Sequence, residues 1–395
     1  MSRIDDLVAQ LCPRGVEHKS LGELGEFIRG NGLQKKDLTD DGIGAIHYGQ
    51  IHTHYGTSAT ETTSFVSEAL AMKLRKAKVG DLVIATTSED DDAVGKAVAW
   101  LGQKEVAVSS DAYIYRHSLN PTYLSYFFQS NQFRAQKRRF ITGTKVRRLS
   151  GDGLAKIRIA VPPLAIQEQI GRTLTRMEEL EGALEATLEA ELEARRQQHE
   201  HYGDLLLTFS PETVQWAPLG DVVSNLDSQR RPVTRSARRS GPFPYYGANG
   251  VQDYVDDFIF DGTFLLIGED GSVVRKDRAP VVNWASGKIW VNNHAHVLGE
   301  RAEVANLRFL YFYLQTIDIT PYVTGGTQQK LNQGNLNRVS VPLPPLEEQA
   351  RTVEILDKFE ALMTDLSSEI PAELSARRQQ YEYYRDRLLA FPEAA

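Results

Sequence analysis

The sequence predicts a mixed α/β (α+β) fold: two similar globular domains separated by two long helices that pair as an antiparallel coiled coil about a pseudo-twofold axis. Three observations predict it. A sixteen-residue phrase occurs twice, as ARRQQHEHYGDLLLTF at Ala194–Phe209 and ARRQQYEYYRDRLLAF at Ala376–Phe391. Each copy closes a long stretch carrying one narrow apolar stripe at three- and four-residue steps. Each stretch follows a set of short β-like runs that ends in a proline cluster. The predicted segments are 1–160 (first globular domain), 161–209 (first helix), 210–342 (second domain) and 343–395 (second helix).

At 395 residues the chain exceeds one ordinary core and suits two domains with connecting elements. Its 41% hydrophobic and 25% charged residues are ordinary for a folded soluble protein. No apolar run approaches the length of a membrane span, and the opening MSRIDDLVAQLCPRG lacks the basic-then-apolar order of a secretion signal. A single cysteine, Cys12, excludes an internal disulfide framework and any multi-cysteine metal site. A reducing cytoplasm is the expected location. The net charge of −7 argues against nucleic acid as a partner, but the charges are sorted by segment. Six of the fourteen residues from Ala135 to Arg148 are basic (Lys137, Arg138, Arg139, Lys145, Arg147, Arg148) and none is acidic. Five arginines and no acid lie between Gln229 and Arg239, whereas Glu168 to Glu193 is dominated by glutamate.

The first domain opens with VEHKSLGEL (Val16–Leu24), which resembles VQWAPLGDV (Val214–Val222). Tyr48-Gly49 corresponds to Tyr246-Gly247, GDLVIA (Gly80–Ala85) to GTFLLI (Gly262–Ile267), and SSDAYIY (Ser109–Tyr115) to NNHAHVL (Asn292–Leu298). The segments Ile141–Ile170 and Val323–Ala350 match through Thr-Gly, two polar loops, a β-like run, a proline cluster and Glu-Gln. The chain is a tandem duplication: domain, helix, domain, helix. Strands are expected at AIHYGQI, DLVIAT, AVAWLG and AYIYR, and again at FLLIG, PVVNWAS, KIWVNN and HAHVL. Each domain then carries an aromatic-rich helix, PTYLSYFFQSNQF or NLRFLYFYLQT, whose rings read as core rather than as a base-stacking platform.

In the first long helix Leu174, Met177, Leu180, Leu184, Leu188, Leu192, Tyr202 and Leu206 form the stripe. In the second, Ile355, Phe359, Leu362, Leu366, Ile370, Leu374, Tyr381, Tyr384 and Leu388 do so. A core helix would carry a broader apolar face, so each stripe reads as a coiled-coil seam whose available partner is the other copy. Roughly 40 residues make a rod on the order of 60 Å. Pro162-Pro163 and Pro344-Pro345 mark the helix entrances, and Pro371 is expected to kink or restart the second helix. Two departures from equivalence stand out: Pro371 has no match, and the second entrance has two more residues between Glu-Gln and the first seam leucine.

Basic and amide-rich loops recur at two pairs of equivalent positions: RGNGLQKKD with SQRRPVTRSARR, and TGTKVRRLS with TGGTQQKLNQ. YGQIHTHYG and YYGANG follow the first pair. One such run alone would read as solvated surface; the paired set reads as a surface for double-stranded DNA. The candidates are Arg29, Lys35, Lys36, Tyr48, His52, His54, Lys145, Arg147 and Arg148 in the first half. In the second they are Arg230, Arg231, Arg235, Tyr246, Asn249, Gln328, Gln329, Lys330 and Asn332. Lys and Arg neutralise phosphates, while Gln, Asn and Arg meet base edges bidentately.

Motifs for catalysis are missing. A DNA methyltransferase needs an Asn/Asp-Pro-Pro-aromatic tetrad and a glycine-rich turn for its methyl donor; the nearest string, Asn120-Pro121-Thr122-Tyr123, lacks the second proline. There is no phosphate loop of the Gly-x4-Gly-Lys-Ser/Thr type. Glu89 to Asp92 with Lys96 resembles a metal-dependent nuclease only loosely, has no counterpart in the second half, and reads as an exposed loop. His52/His54 and His294/His296 form H-x-H pairs, which on a strand share one face, but no third ligand is evident and no metal site is assigned. GEDGS (Gly268–Ser272) reads as a tight turn.

Taken together, PLAIQEQI and PLPPLEEQA at the proline clusters, the two ARRQQ(H/Y)E(H/Y)Y helix ends, the TGTKVRRL and TGGTQQKL loops and the domain-helix-domain-helix order resemble the specificity subunits of type I restriction–modification systems. The resemblance covers essentially the whole chain. It implies two target-recognition domains, each reading one half of a bipartite, asymmetric DNA sequence, and a coiled coil that sets the distance between the halves. It further implies two methyltransferase (modification) subunits docked on the helices and restriction (translocase–nuclease) subunits in the full complex. The subunit then has no catalysis and no cofactor of its own, with methyl donor, ATP and magnesium on the partners. The alternatives are a DNA-binding adaptor of another defence or modification system, and a metal-dependent nuclease using Glu89 to Lys96.

Overall fold

A computed structural model describes residues 2–326 and 328–394. The chain divides into two compact units, Met1–Thr187 with Pro371–Ala395, and Leu188–Ile370. Among the described residues no helix is long and apolar enough to cross a membrane.

In the first unit a five-stranded sheet has the order Gly25–Arg29, Ala112–His117, Leu82–Ala85, Ala97–Trp100, Ser58–Ala59. A four-stranded sheet runs Ser64–Val66, Ile43–Ile46, Val106–Val108, Lys76–Ala77. Leu82–Ala85 is buried on both faces, which is why it reads as an unbroken apolar run. The helix Pro121–Gln129 starts where the Asn120 side chain accepts the Tyr123 N–H, with proline in the first turn. It lays Tyr123, Tyr126, Phe127 and Phe128 into the core with Leu82, Ile84 and Tyr115. Those rings have no face left for a base.

The run AIHYGQI is a strand only as far as Ile46. His47 Nδ1 accepts the Gly49 N–H and the Gln50 side chain accepts the His47 N–H, a reciprocal cap that starts the helix Tyr48–Thr53. His52 therefore lies on a helix and His54 is its C-cap. The placement of this H-x-H pair on one face of a strand is corrected accordingly.

The second unit has one six-stranded sheet, in the order Ser224–Asn225, Ala295–Gly299, Phe260–Gly268, Val282–Val291, Ser240–Gly247, Gly250–Val255. Matching hydrogen bonds fix the equivalences. The Ser109 N–H donates to the Ile46 carbonyl, and the Asn292 N–H to that of Tyr246. Tyr246 thus stands opposite Ile46 rather than Tyr48. Beyond that point the first unit forms its capped helix, while the second turns at Ala248-Asn249 into the strand Gly250–Val255. The Leu149 N–H donates to Thr86 and the Leu331 N–H to Glu269; the Thr86 N–H donates to Asp111 and the Glu269 N–H to His294. Leu82–Ala85 therefore matches Leu265–Gly268, one residue later than the sequence comparison placed it, and Tyr113 matches His296.

The long helices are Leu164–Leu207 and Leu346–Leu389, each 44 residues, about 66 Å of helix. Their entrances are built alike. The Gln167 side chain donates to the Pro162 carbonyl at 2.7 Å and accepts the Asn120 N–H at 2.8 Å. Gln349 donates to Pro344 at 2.8 Å and accepts the Asn306 N–H at 2.9 Å. Asn120 and Asn306 cap the two aromatic helices, so each glutamine ties an aromatic helix to a long one. Both glutamines are buried, and an apolar side chain there would strand a carbonyl and an amide at about 1–3 kcal/mol. Gln349 corresponds to Gln167, not Gln169, and the two-residue discrepancy at the entrance disappears. The second helix also runs on through Pro371 without restarting; the proline removes one intrahelical hydrogen bond.

The helices pair antiparallel within each unit. In the first, Ile170 and Leu174 share a core with Leu388 and Leu389, and further along Glu185 pairs with Arg378 at 2.5 Å. In the second, Tyr202 stacks on Phe359 at 5.5 Å, and further along Leu207 shares a core with Leu356. The seam is covered where a globular core backs it and at Ile370, and is partly open elsewhere. Leu180 is 54% exposed and Leu362 43%, because two helices alone cannot enclose a stripe. In the closing phrase Arg385 is buried with its guanidinium over the Tyr381 ring, and burial pushes the Tyr381 hydroxyl up. Tyr383, two residues on, is exposed.

Candidate nucleic-acid interface

In the first unit the candidates gather where strands end. Arg29 closes its strand; its Nε donates to the Ser110 carbonyl at 2.9 Å and its guanidinium lies 3.8 Å from Asp111. The Tyr48 N–H donates to the Ser109 hydroxyl at 2.8 Å. His52 Nε2 lies 3.2 Å from the Thr87 carbonyl, and its pKa is lowered chiefly by burial. Thr87 and Ser88 pair with Arg148 and Arg147, which belong to the hairpin Ile141–Thr142/Arg147–Leu149. That hairpin turns at Gly143, where φ is 92° and a Cβ would meet the Val146 carbonyl at 2.1 Å. Lys145 is exposed in the turn and Arg148 on the strand. Lys35 and Lys36 are exposed in the turn Lys35–Asp37, with Lys35 close enough to act on His47. His54 is exposed as well.

Besides Arg29, two basic residues of this unit are partly or wholly engaged. Arg147 donates to Asp91 at 2.8 Å and to the Gly143 carbonyl at 2.6 Å. Lys137 is buried, its ammonium donating to the Asp92 and Val94 carbonyls at 2.7 Å each. Burial pushes its pKa down to about 8. Lys137 is thus a post beneath the exposed loop Glu89–Asp92, and that loop in turn holds Arg147.

The second unit builds a matching hairpin with different side chains. Gly325 turns at φ 86°, and Gln329 and Lys330 pair with Gly271 and Asp270. Gln328 and Lys330 are exposed and Gln329 half-buried; Thr327 of the same loop lies outside the described residues. GEDGS is accordingly a short strand at Asp270–Gly271 rather than a turn alone. Asn332 caps the helix Gln333–Asn337 by accepting the Asn335 N–H at 2.9 Å, as Ser150 caps Gly151–Ala155. Arg231 and Arg235 are exposed, and the Arg231 carbonyl accepts the Trp290 indole N–H at 2.6 Å. Asn249 is exposed at the tip of a strand turn. Tyr246 is half-buried, which raises its hydroxyl pKa.

Arg230 points inward. It donates to Glu269 at 2.7 Å, to the Ala295 carbonyl at 2.8 Å and to the Asp227 carbonyl at 3.0 Å. This leaves it no free edge for a phosphate. Asp227, Glu269 and His296 bring three metal-capable atoms within 4.8 Å of one another, a grouping that H-x-H spacing did not reveal because Asp227 and Glu269 are distant in sequence. The Arg230 guanidinium already lies against both carboxylates, and both His296 nitrogens have partners. The donor set as built holds a guanidinium rather than a divalent ion.

Each unit therefore offers a turned hairpin pinned to the strand-end loop beside it, with exposed cations or amides at its rim. The family model of the type I restriction modification DNA specificity domain matches the chain twice, at residues 13–194 and 211–376. The chain belongs to this family. A putative type I restriction enzyme specificity subunit of Haemophilus influenzae is 42% identical over 184 residues, covering 46% of this chain and 47% of that protein. A specificity subunit of Escherichia coli is 28% identical over 228 residues, 55% of each chain. These alignments with other family members thus span about half the length of each relative. The solved specificity subunit of Thermoanaerobacter tengcongensis shares the fold with a TM-score of 0.61 at 17% identity, over 96% of this chain and 97% of that one. A chain from a structure describing complex assembly and conformational transition of the type I system aligns equally well, with TM-score 0.61, 17% identity and 95% and 98% coverage.

Proposed function

We propose that this chain is the DNA-recognition subunit of a type I restriction–modification complex. Each globular domain reads one half of a bipartite, asymmetric double-stranded target. The paired helices set the unspecified spacer and dock two methyltransferase subunits, which restriction subunits join in the full complex. Methyl transfer, ATP turnover and magnesium belong to those partners, and the complex works in the cytoplasm. One observation carries the reading most: the same hairpin is built in both units, on equivalent hydrogen bonds, but presents Lys145, Arg147 and Arg148 in one and Gln328, Gln329 and Lys330 in the other. A conserved frame with exchanged side chains suits two readers of different sequences.

The nuclease alternative is disfavoured by the Glu89–Asp92 loop, whose Asp91 is spent on Arg147 and whose backbone is held by Lys137. Co-expression with a methyltransferase subunit is expected to yield a complex with two copies of it per chain, and the chain alone with magnesium is expected to leave plasmid DNA intact. Cleavage by the isolated chain, or failure to recruit the methyltransferase, would remove this reading.

A further inference from the structure

Among the described residues, the buried cluster beneath the second hairpin has no counterpart in the first unit. His296 is fully buried, with Nδ1 2.6 Å from an Asp227 carboxylate oxygen and Nε2 2.7 Å from the Leu331 carbonyl. A carbonyl oxygen only accepts, so Nε2 carries hydrogen. Asp227 also accepts the Val297 N–H at 2.9 Å and faces the Arg230 guanidinium at 3.6 Å. Although burial opposes its ionisation, those hydrogen bonds and charges hold its carboxyl below the usual range. The ring bridges the turn at Asp227 to Leu331.

Leu331 directly follows Gln328, Gln329 and Lys330, and its own N–H is held by the Glu269 carbonyl at 2.8 Å. Both backbone groups of this one residue are therefore anchored. In the first unit the position of His296 holds Tyr113, whose ring lies against Gly151.

We infer that His296 is a positioning residue for the second half-site: it fixes the reading hairpin from beneath, and Arg230 completes this brace instead of touching DNA. The inference rests on the DNA-reading role proposed above. Base readout needs side chains held in register, whereas phosphate contacts by long cationic side chains tolerate slack. Loss of the brace accordingly costs discrimination before it costs affinity.

The test is methylation profiling of DNA exposed to the assembled complex carrying His296→Phe or His296→Gln. His296→Phe is expected to relax base discrimination in one half-site by about tenfold or more, leaving the other half and the salt dependence of binding unchanged. His296→Gln, whose amide can donate to the Leu331 carbonyl, is expected to restore most of it. Unchanged discrimination in His296→Phe, or equal loss in both halves, overturns the inference. If the Phe variant does not assemble, 15N spectra of the wild-type ring decide: hydrogen on Nε2 supports the brace and a bare Nε2 refutes it. A wild-type complex that methylates no bipartite target would instead refute the DNA-reading role itself.

Discussion

Alanine at both Arg147 and Arg148 weakens target binding by the assembled complex and flattens its salt dependence. Each phosphate contact contributes a slope of about 0.9 in log affinity against log salt, so the pair accounts for a loss of up to about 1.8. The two arginines do not contribute equally. Arg147 already donates to Asp91 and to the Gly143 carbonyl, whereas Arg148 is exposed on the strand opposite Thr87. Arg148→Ala alone should therefore carry most of the change. Salt titrations of DNA binding by the complex check this, and an unaltered slope would mean that the hairpin faces away from the DNA.

The second large effect is on spacing. Four residues inserted after Leu188, with four more after Ile370 to keep the antiparallel partners matched, add about 6 Å to each helix. At about 3.4 Å per base step this lengthens the unspecified spacer by on the order of two base pairs. Both half-sites should keep their bases. Insertion points at Leu188 and Ile370 are equivalent because Gln167 and Gln349 fix the same starting register in the two 44-residue helices. Methylation profiling reads the spacer directly; an unchanged spacer would show that the helices are not the ruler.

The elements that were legible in the sequence are those with a period or a repeat. The long helices show through their seams, the aromatic helices through dense Tyr and Phe, and the paired polar loops through Thr-Gly followed by polar residues. What the sequence hid depends on tertiary partners. Lys137 looks like its basic neighbours until the Asp92 and Val94 carbonyls are seen to enclose it. Arg230 looks like Arg231 until Glu269, Asp227 and Ala295 are brought beside it. Registers slipped by one or two residues where insertions are silent, as between Tyr48 and Tyr246 or Gln169 and Gln349. One missed role did leave a local signal: Ser150 and Asn332 occupy equivalent positions, and both are residues that favour helix N-caps.

The central claim is that two independent readers share one chain. Replacing Val16 to Ile159 with the corresponding segment of another specificity subunit, then profiling methylation in cells carrying the complete system, tests it most directly. The account predicts that one half-site takes on new bases while the other half-site stays as it was. A change in both halves, or in neither, would contradict it.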